Sequence, residues 1–301
     1  MNAPERHENS GAKRGIVVGV DPRGGSHTAV AWAADEAARR DVPLRLLLAV
    51  PARHDLPQGS RRHRVADRTH RAALHAEGET VLADEAAWVT GTHPGVTVTT
   101  ELPDGGPAAV LCACSHQALM LVLGSRRLGR SAELFSASSV TLPVSARAAC
   151  PVAVVAQEPR GPRGPAHLVV GVDGSESSRA ALAFALEEAE RLGASVRALW
   201  VWPRSLLSPG DDTPTAAEER RLLLTAGVAG WPEKHPDVPF TAHVLRGHPV
   251  EELALAAQDA LALVVGRRGH GGYTGMRLGS VPHGLLHRAE CPVVTVPGPG
   301  E

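Results

Sequence analysis

Apolar positions along the chain fall into two patterns. Short unbroken runs such as Leu168–Val172, Leu261–Val265 and Pro292–Val296 show no polar alternation, as expected of strands covered on both faces in a parallel sheet. Between such runs lie longer stretches with apolar residues on one helical face. In the clearest of these, Ala181, Leu182, Ala185, Leu186, Ala189 and Leu192 form one stripe. Ser177 or Ser178 is available as N-cap and Gly193 as the C-terminal stop. Strand and helix patterns alternate throughout, which predicts a doubly wound α/β fold.

The pattern repeats. IVVGVD, ending at Asp21, recurs as LVVGVD, ending at Asp173, 152 residues later. LRLLLAV, ending at Val50, matches VRALWVW, with Val50 set against Val201; GGPAAVL matches GHPVEEL; LMLVLGSR matches LALVVGRR; and AACPVAVV matches AECPVVTV. The offset falls to 142 at Pro107/Pro249, so the first copy carries extra residues between Val50 and Pro107. Between the copies, the alternating Pro and Gly of Gln157–Pro165 suit neither helix nor sheet and predict a semi-extended linker. Two domains follow, residues 13–156 and 166–297, a division that suits a 301-residue chain.

Composition narrows the function. With 31 basic and 32 acidic residues the formal net charge is -1, so no global field draws the protein to nucleic acid or to an anionic membrane. The polar N-terminus (Met1–Arg14) lacks the apolar core of a signal peptide, and no long apolar run suggests a membrane span, so the cytoplasm is the expected compartment. The basic stretch Arg61–Arg71 contains Asp67 and no aromatic residues for base stacking, which favours a solvated helix start over a nucleic-acid site. Four cysteines without a C-x-x-C pair read as reduced thiols, and fifteen histidines without metal-ligand spacing argue against zinc.

The sharpest motif is GRRGHGGYTGMRLGS, Gly266–Ser280, after the fourth strand of the second copy and before a helix. Its spacing is G-x-x-G, nine residues, then G-S. Glycines let backbone N–H groups approach a phosphate and supply positive φ in tight loops, and a helix N-terminus at Gly279-Ser280 favours an anion. Asp173, Val201 and Gly266 all fall near strand ends, where open parallel sheets bind ligands.

On these motifs both copies resemble the universal stress protein family, over about Lys13–Pro297, and the glycine motif is similar to that of its ATP-binding members. The resemblance implies two tandem Rossmann-like domains of the adenine nucleotide alpha-hydrolase type, each a five-stranded parallel sheet in the order 3-2-1-4-5 with helices on both faces. It implies that Asp173 and the Val201 backbone meet adenosine, and that Gly266, Gly269, Gly279, Ser280 and Val281 hold ribose and phosphates, with ATP and Mg²⁺ as cofactors. It also implies dimer formation through strand five. The corresponding residues of the first copy are Asp21, Val50, Gly124, Ser138, Ser139 and Val140. That copy departs from the motif: Arg127 replaces the second glycine, Ser138 replaces the third, and the loop is one residue longer.

The fifth strands, Val152–Ala156 and Val293–Val296, are uncovered apolar edges that invite pairing. The expectation is an intrachain pseudo-dimer through them, with further association into a homodimer and an unidentified protein partner. No positioned base, paired carboxylates or Gly-Lys-Ser/Thr accompany the glycine loop, so a regulatory ATP-binding protein leads over an enzyme, with slow ATP hydrolysis compatible. A nucleotide-independent dimerisation scaffold is the alternative that the first copy favours. A Rossmann dehydrogenase is disfavoured because its glycine loop follows strand one.

Overall fold

The structure, a computed structural model, describes residues 14–23, 25–51, 61–125, 140–156, 164–202, 214–269 and 277–300, without the side chains of 61–69, 214–217 and 232. The linker expected at Gln157–Pro165 lies largely outside them.

The first half runs β1 (Ile16–Gly19), α1 (His27–Arg40), β2 (Leu44–Leu47), α2 (Arg61–Thr92), β3 (Val98–Glu101), α3 (Pro107–Cys114), β4 (Met120–Ser125), α4 (Thr141–Arg147) and β5 (Val152–Ala156). The second runs β6 (His167–Gly171), α5 (Glu176–Leu192), β7 (Ser195–Trp202), α6 (Pro214–Val228), a one-turn α7 (Trp231–Lys234), β8 (Phe240–Arg246), α8 (Pro249–Ala256), β9 (Ala262–Gly266), α9 (Ser280–Arg288) and β10 (Val293–Val296). The extra residues of the first half go into α2, which has 32 residues against 15 in α6.

Each half has the 3-2-1-4-5 order, but the two five-stranded sheets are not separate. They form one ten-stranded sheet, β3-β2-β1-β4-β5-β10-β9-β6-β7-β8. The join is antiparallel, with Val293 opposite Val154 and Thr295 opposite Val152, whereas all other strand pairs are parallel. Two valine-rich edges thereby satisfy each other's backbone groups and bury each other's side chains. The outer edges are β3 and β8.

Hydrophobic cores cover both sheet faces and run across the join. One packs α1, α2, α5 and α6 on the sheet, through residues such as Val30, Leu82, Leu182 and Leu224. The other packs α3, α4, α8 and α9, through Leu111, Val144, Leu253 and Leu285. The α5 stripe is buried as its spacing predicts, and Gly193 ends the helix in the left-handed conformation (φ 59°, ψ 33°). Its N-cap, however, is Ser175 rather than Ser177 or Ser178: the Ser175 hydroxyl accepts from the Ser178 N–H at 3.1 Å.

Charged residues close the seam between the halves. Glu36 of α1 and Glu188 of α5, 152 positions apart and so equivalent in the repeat, are both buried. Arg40 bonds both carboxylates, while Arg39 and Arg191 hold Glu36 and Glu188 respectively from the rim. Burial pushes the Glu188 carboxyl up to about 7, reinforced by the Glu36 charge. Burial would raise Glu36 as well, but a hydrogen bond with Glu188 and the Arg40 charge outweigh it and hold the group at about 2. The two carboxyls are thus driven apart, with Glu36 favouring the charged form and Glu188 the protonated one.

Candidate functional site

The strand-end aspartates are set in the same local geometry. Asp173 Oδ1 accepts from the Ser175 N–H at 3.0 Å, and the Asp173 N–H donates to Ser178 Oγ at 3.4 Å. Asp21 repeats both contacts, with Arg23 N–H at 2.9 Å and Ser26 Oγ at 3.3 Å. Each aspartate thus closes a turn of its own chain that leads from the first strand into the first helix.

In the second half the glycine motif comes to meet that turn. A Cβ on Gly266 would fall 2.6 to 2.8 Å from backbone atoms of Ser177 and Ser178, so β9 passes the start of α5 at a distance only glycine permits. A Cβ on Gly269 would fall 2.2 Å from Asp173 Oδ2. The loop is tied down by Arg268 N–H donating to Ser177 Oγ at 3.3 Å and Ser175 Oγ donating to Arg268 O at 3.4 Å. Close approach is the glycines' purpose here. Gly266, Gly269 and Gly279 are not among the glycines with positive φ, and the other glycines of the loop lie outside the described residues.

Gly279 caps α9 with extended backbone (φ -69°, ψ 160°), and Ser280 is the first helical residue. The Gly279 N–H donates to Arg267 O at 2.9 Å, holding the chain that leaves β9 against the chain that begins α9. Ser280 and Val281 line a cleft of about 520 Å³ together with His248, Val250, Gly284, His287 and Arg288. Gly284 brings the helices together there, since its Cβ would meet Val250 at 2.6 Å. The His287 imidazole is held below its usual range by burial and then by His283, whose ring centroid is 5.0 Å away.

His248, His287 and Arg288 were not singled out from sequence. His248 caps α8 while His287 and Arg288 end α9, and only the packing of α8 on α9 brings them together. The repeat held a partial signal: at the positions of His248 and His287 the first half has Gly106 and Ala146. His283, on the first turn of α9, is exposed, and His270, within the motif, lies outside the described residues.

Strand register changes one assignment. Ile16 pairs with Leu44 and Leu168 with Val196, so the repeat offset at strand two is 152, which sets Val50 against Trp202 and Val201 against Ala49. Gly105 N–H to Val50 O at 2.7 Å and Gly247 N–H to Trp202 O at 3.0 Å confirm the match. A one-residue slip in a strand changes the face. Val201 and Ala49 pack on the side of α8, α9, α3 and α4, whereas Val50 is buried on the opposite side. Ala49, and not Val50, is the counterpart of Val201.

The remaining first-half residues are less assembled. Gly124, the penultimate residue of β4, lies close to the helix start, its Cβ position 2.9 Å from Gly25 O. Val140 is the N-cap of α4, without a side-chain cap. Ser138 and Ser139 lie outside the described residues, as does Arg127. Cys112 and Cys114 are half-buried on α3, and burial pushes the Cys150 and Cys291 thiols up to about 12, so none of the four is an activated nucleophile.

The model of the universal stress protein family matches residues 13–156 and again 166–297. A universal stress protein of Mycolicibacterium smegmatis is 35% identical, covering 95% of this chain and 98% of that protein. One from Mycobacterium bovis is 33% identical over 93% and 94%. The chain belongs to the universal stress protein family. The crystal structure of a universal stress protein from Archaeoglobus fulgidus superposes with a TM-score of 0.67 over 95% of this chain and 97% of that one, at 18% identity, and so shares the fold. This universal stress protein therefore carries two family repeats on one continuous sheet. Among its described residues no helix is long and apolar enough to cross a membrane, and no three His, Cys, Asp or Glu side chains cluster to hold a metal ion.

Proposed function

We propose that the protein binds ATP in its second half and acts as a regulator through that occupancy. The observation that carries this reading is the contact of Gly269 with Asp173, which joins the end of β6 to the loop after β9 where open α/β sheets take their ligands. Asp173 and Val201 receive adenosine. Gly266, Gly269, Gly279, Ser280 and Val281 receive ribose and phosphates, with the N-terminus of α9 favouring the negative charge. The cleft beside Ser280 adds the Arg288 guanidinium as a cation along the phosphate side, with His248 and His287 as further hydrogen-bonding groups. Mg²⁺ ordinarily keeps several waters and is held through substrate phosphates, so it enters with the nucleotide and neutralises phosphate charge.

The first half, with Asp21, Ala49, Gly124 and Val140 but Arg127 in place of the second glycine, serves chiefly as the packing partner. The glycine loop carries no Gly-Lys-Ser/Thr and no paired carboxylates, which supports slow turnover with occupancy as the signal. The compartment that supplies such a ligand is the cytoplasm. Association into a homodimer, through surfaces other than the already paired β5 and β10, and recognition by a protein partner complete the proposal.

Displacement of a fluorescent ATP analogue tests the reading. The wild type is expected to bind it and to return ATP intact after many minutes, and Asp173→Ala to lose most of the affinity. Rapid turnover would favour an ATP hydrolase, and absence of adenine-nucleotide binding would favour the scaffold.

A further inference from the structure

Arg267 follows the last residue of β9 and is 5% exposed. Its backbone is fixed at both ends: the N–H donates to Val296 O of β10 at 2.8 Å, and the carbonyl accepts from Gly279 at the start of α9. Its guanidinium reaches into the first half. Nη1 donates at 2.7 Å to the carbonyl of Ala148, the C-cap residue of α4 in the first half. A helix C-terminus is the favourable end for a cation, and a buried guanidinium is costly to move away from its partners. The equivalent residue of the first half, after Gly124, is Ser125, whose single-carbon side chain cannot span such a distance. The connection runs from the second half's glycine loop to the helix that follows the first half's loop.

We propose that Arg267 is a positioning residue that couples nucleotide occupancy of the second half to the end of α4 in the first. The proposal rests on the ATP site described above. Phosphate bound along Gly269, Gly279 and Ser280 immobilises the backbone pinned by Arg267, and the guanidinium tightens on Ala148. The reporters are the neighbouring amides, Ala148 N–H to Val144 O at 2.9 Å and Ala149 N–H to Ser115 Oγ at 2.8 Å.

Hydrogen exchange of the full chain, with and without saturating MgATP, tests this. In the wild type, exchange at Ala148 and Ala149 is expected to slow by about threefold or more. Arg267→Met, which keeps length but not charge, is expected to lose that slowing and to bind ATP several-fold more weakly, and Arg267→Lys to restore part of both. Wild-type protein that binds ATP in calorimetry yet shows unchanged exchange at the end of α4 would overturn the coupling and leave the ATP site standing, as would full slowing in the Met variant. Wild-type protein that binds no ATP would overturn the site and the coupling together. The wild-type exchange alone decides the matter if the Met variant fails to fold.

Discussion

The two halves share a strand order, a sheet and a strand-end aspartate, yet differ in the loop that meets that aspartate and at both ends of the first helix. In the second half Gly269 lies against Asp173; the first half has Arg127 at that position. In the second half α5 begins at Glu176 under a Ser175 cap; in the first, α1 begins three repeat positions later, at His27, with no side-chain cap. The left-handed residue that ends the helix is Gly193 in one half and Asp41 in the other. The fold survives all these changes because it rests on buried valine and leucine runs and on alanine-rich helix faces, which tolerate substitution of like size. The site does not, because a single Cβ at Gly269 occupies the place of a carboxylate oxygen.

Substitutions matched between the halves break or sharpen this comparison. The largest effect on stability is expected for Gly266→Ala, whose Cβ meets fixed helix backbone and costs about 3 kcal/mol. Gly124→Ala, which meets one carbonyl oxygen, should lower the melting temperature by less. Equal melting temperatures would show that the two helix starts are packed alike.

The seam gives a pH test. Glu188, ordinarily at 4.5, is raised to about 7 in the fold. Between those values the folded chain keeps a proton that the unfolded chain has lost, so stability falls as pH rises through the window. Glu36, lowered to about 2 from 4.5, acts oppositely, and its contribution is lost as pH falls through that lower range. Glu188→Gln fixes the neutral form and is expected to remove about 2 kcal/mol of the stability decline between roughly pH 5 and pH 8. Urea melts at the two pH values check it, and parallel declines in wild type and variant would sink it.

Smaller effects are expected at the helix ends. Ser175→Ala removes the α5 cap and costs about 1 kcal/mol, whereas Arg23→Ala at the equivalent place has no cap to remove. Gly193→Ala puts a side chain into the left-handed region at the end of α5 (φ 59°) and should cost about 1 kcal/mol, visible as a small fall in melting temperature; an unchanged melting temperature would show that this helix end does not depend on glycine.

Much of the fold was legible because its signals are local. Unbroken apolar runs gave the strands, a 3.6-residue stripe gave α5, and Gly193 marked its end. What was misread depended on partners distant in sequence. Ser177 and Ser178 qualify as caps by residue type, but their hydroxyls are spent on Val296 O and Ser175 O. Val50 and Val201 match as letters, and only strand pairing shows them to be one position out of step. The Glu36/Glu188 pair did carry a sequence signal, an acid at the same repeat position on two apolar helices, but its meaning required the two sheets to join. Gly266 and Gly269 stood out by spacing, while His248, His287 and Arg267 become significant only once α8, α9 and α4 are packed together.

The central claim is asymmetry, and the stoichiometry of MgATP binding to the full chain tests it most directly. Calorimetric titration is expected to give one site per chain, lost by about 100-fold in affinity in Gly269→Glu, where a larger side chain must displace Asp173, and kept in Gly124→Glu. Two equivalent sites, or binding unchanged in Gly269→Glu, would contradict it.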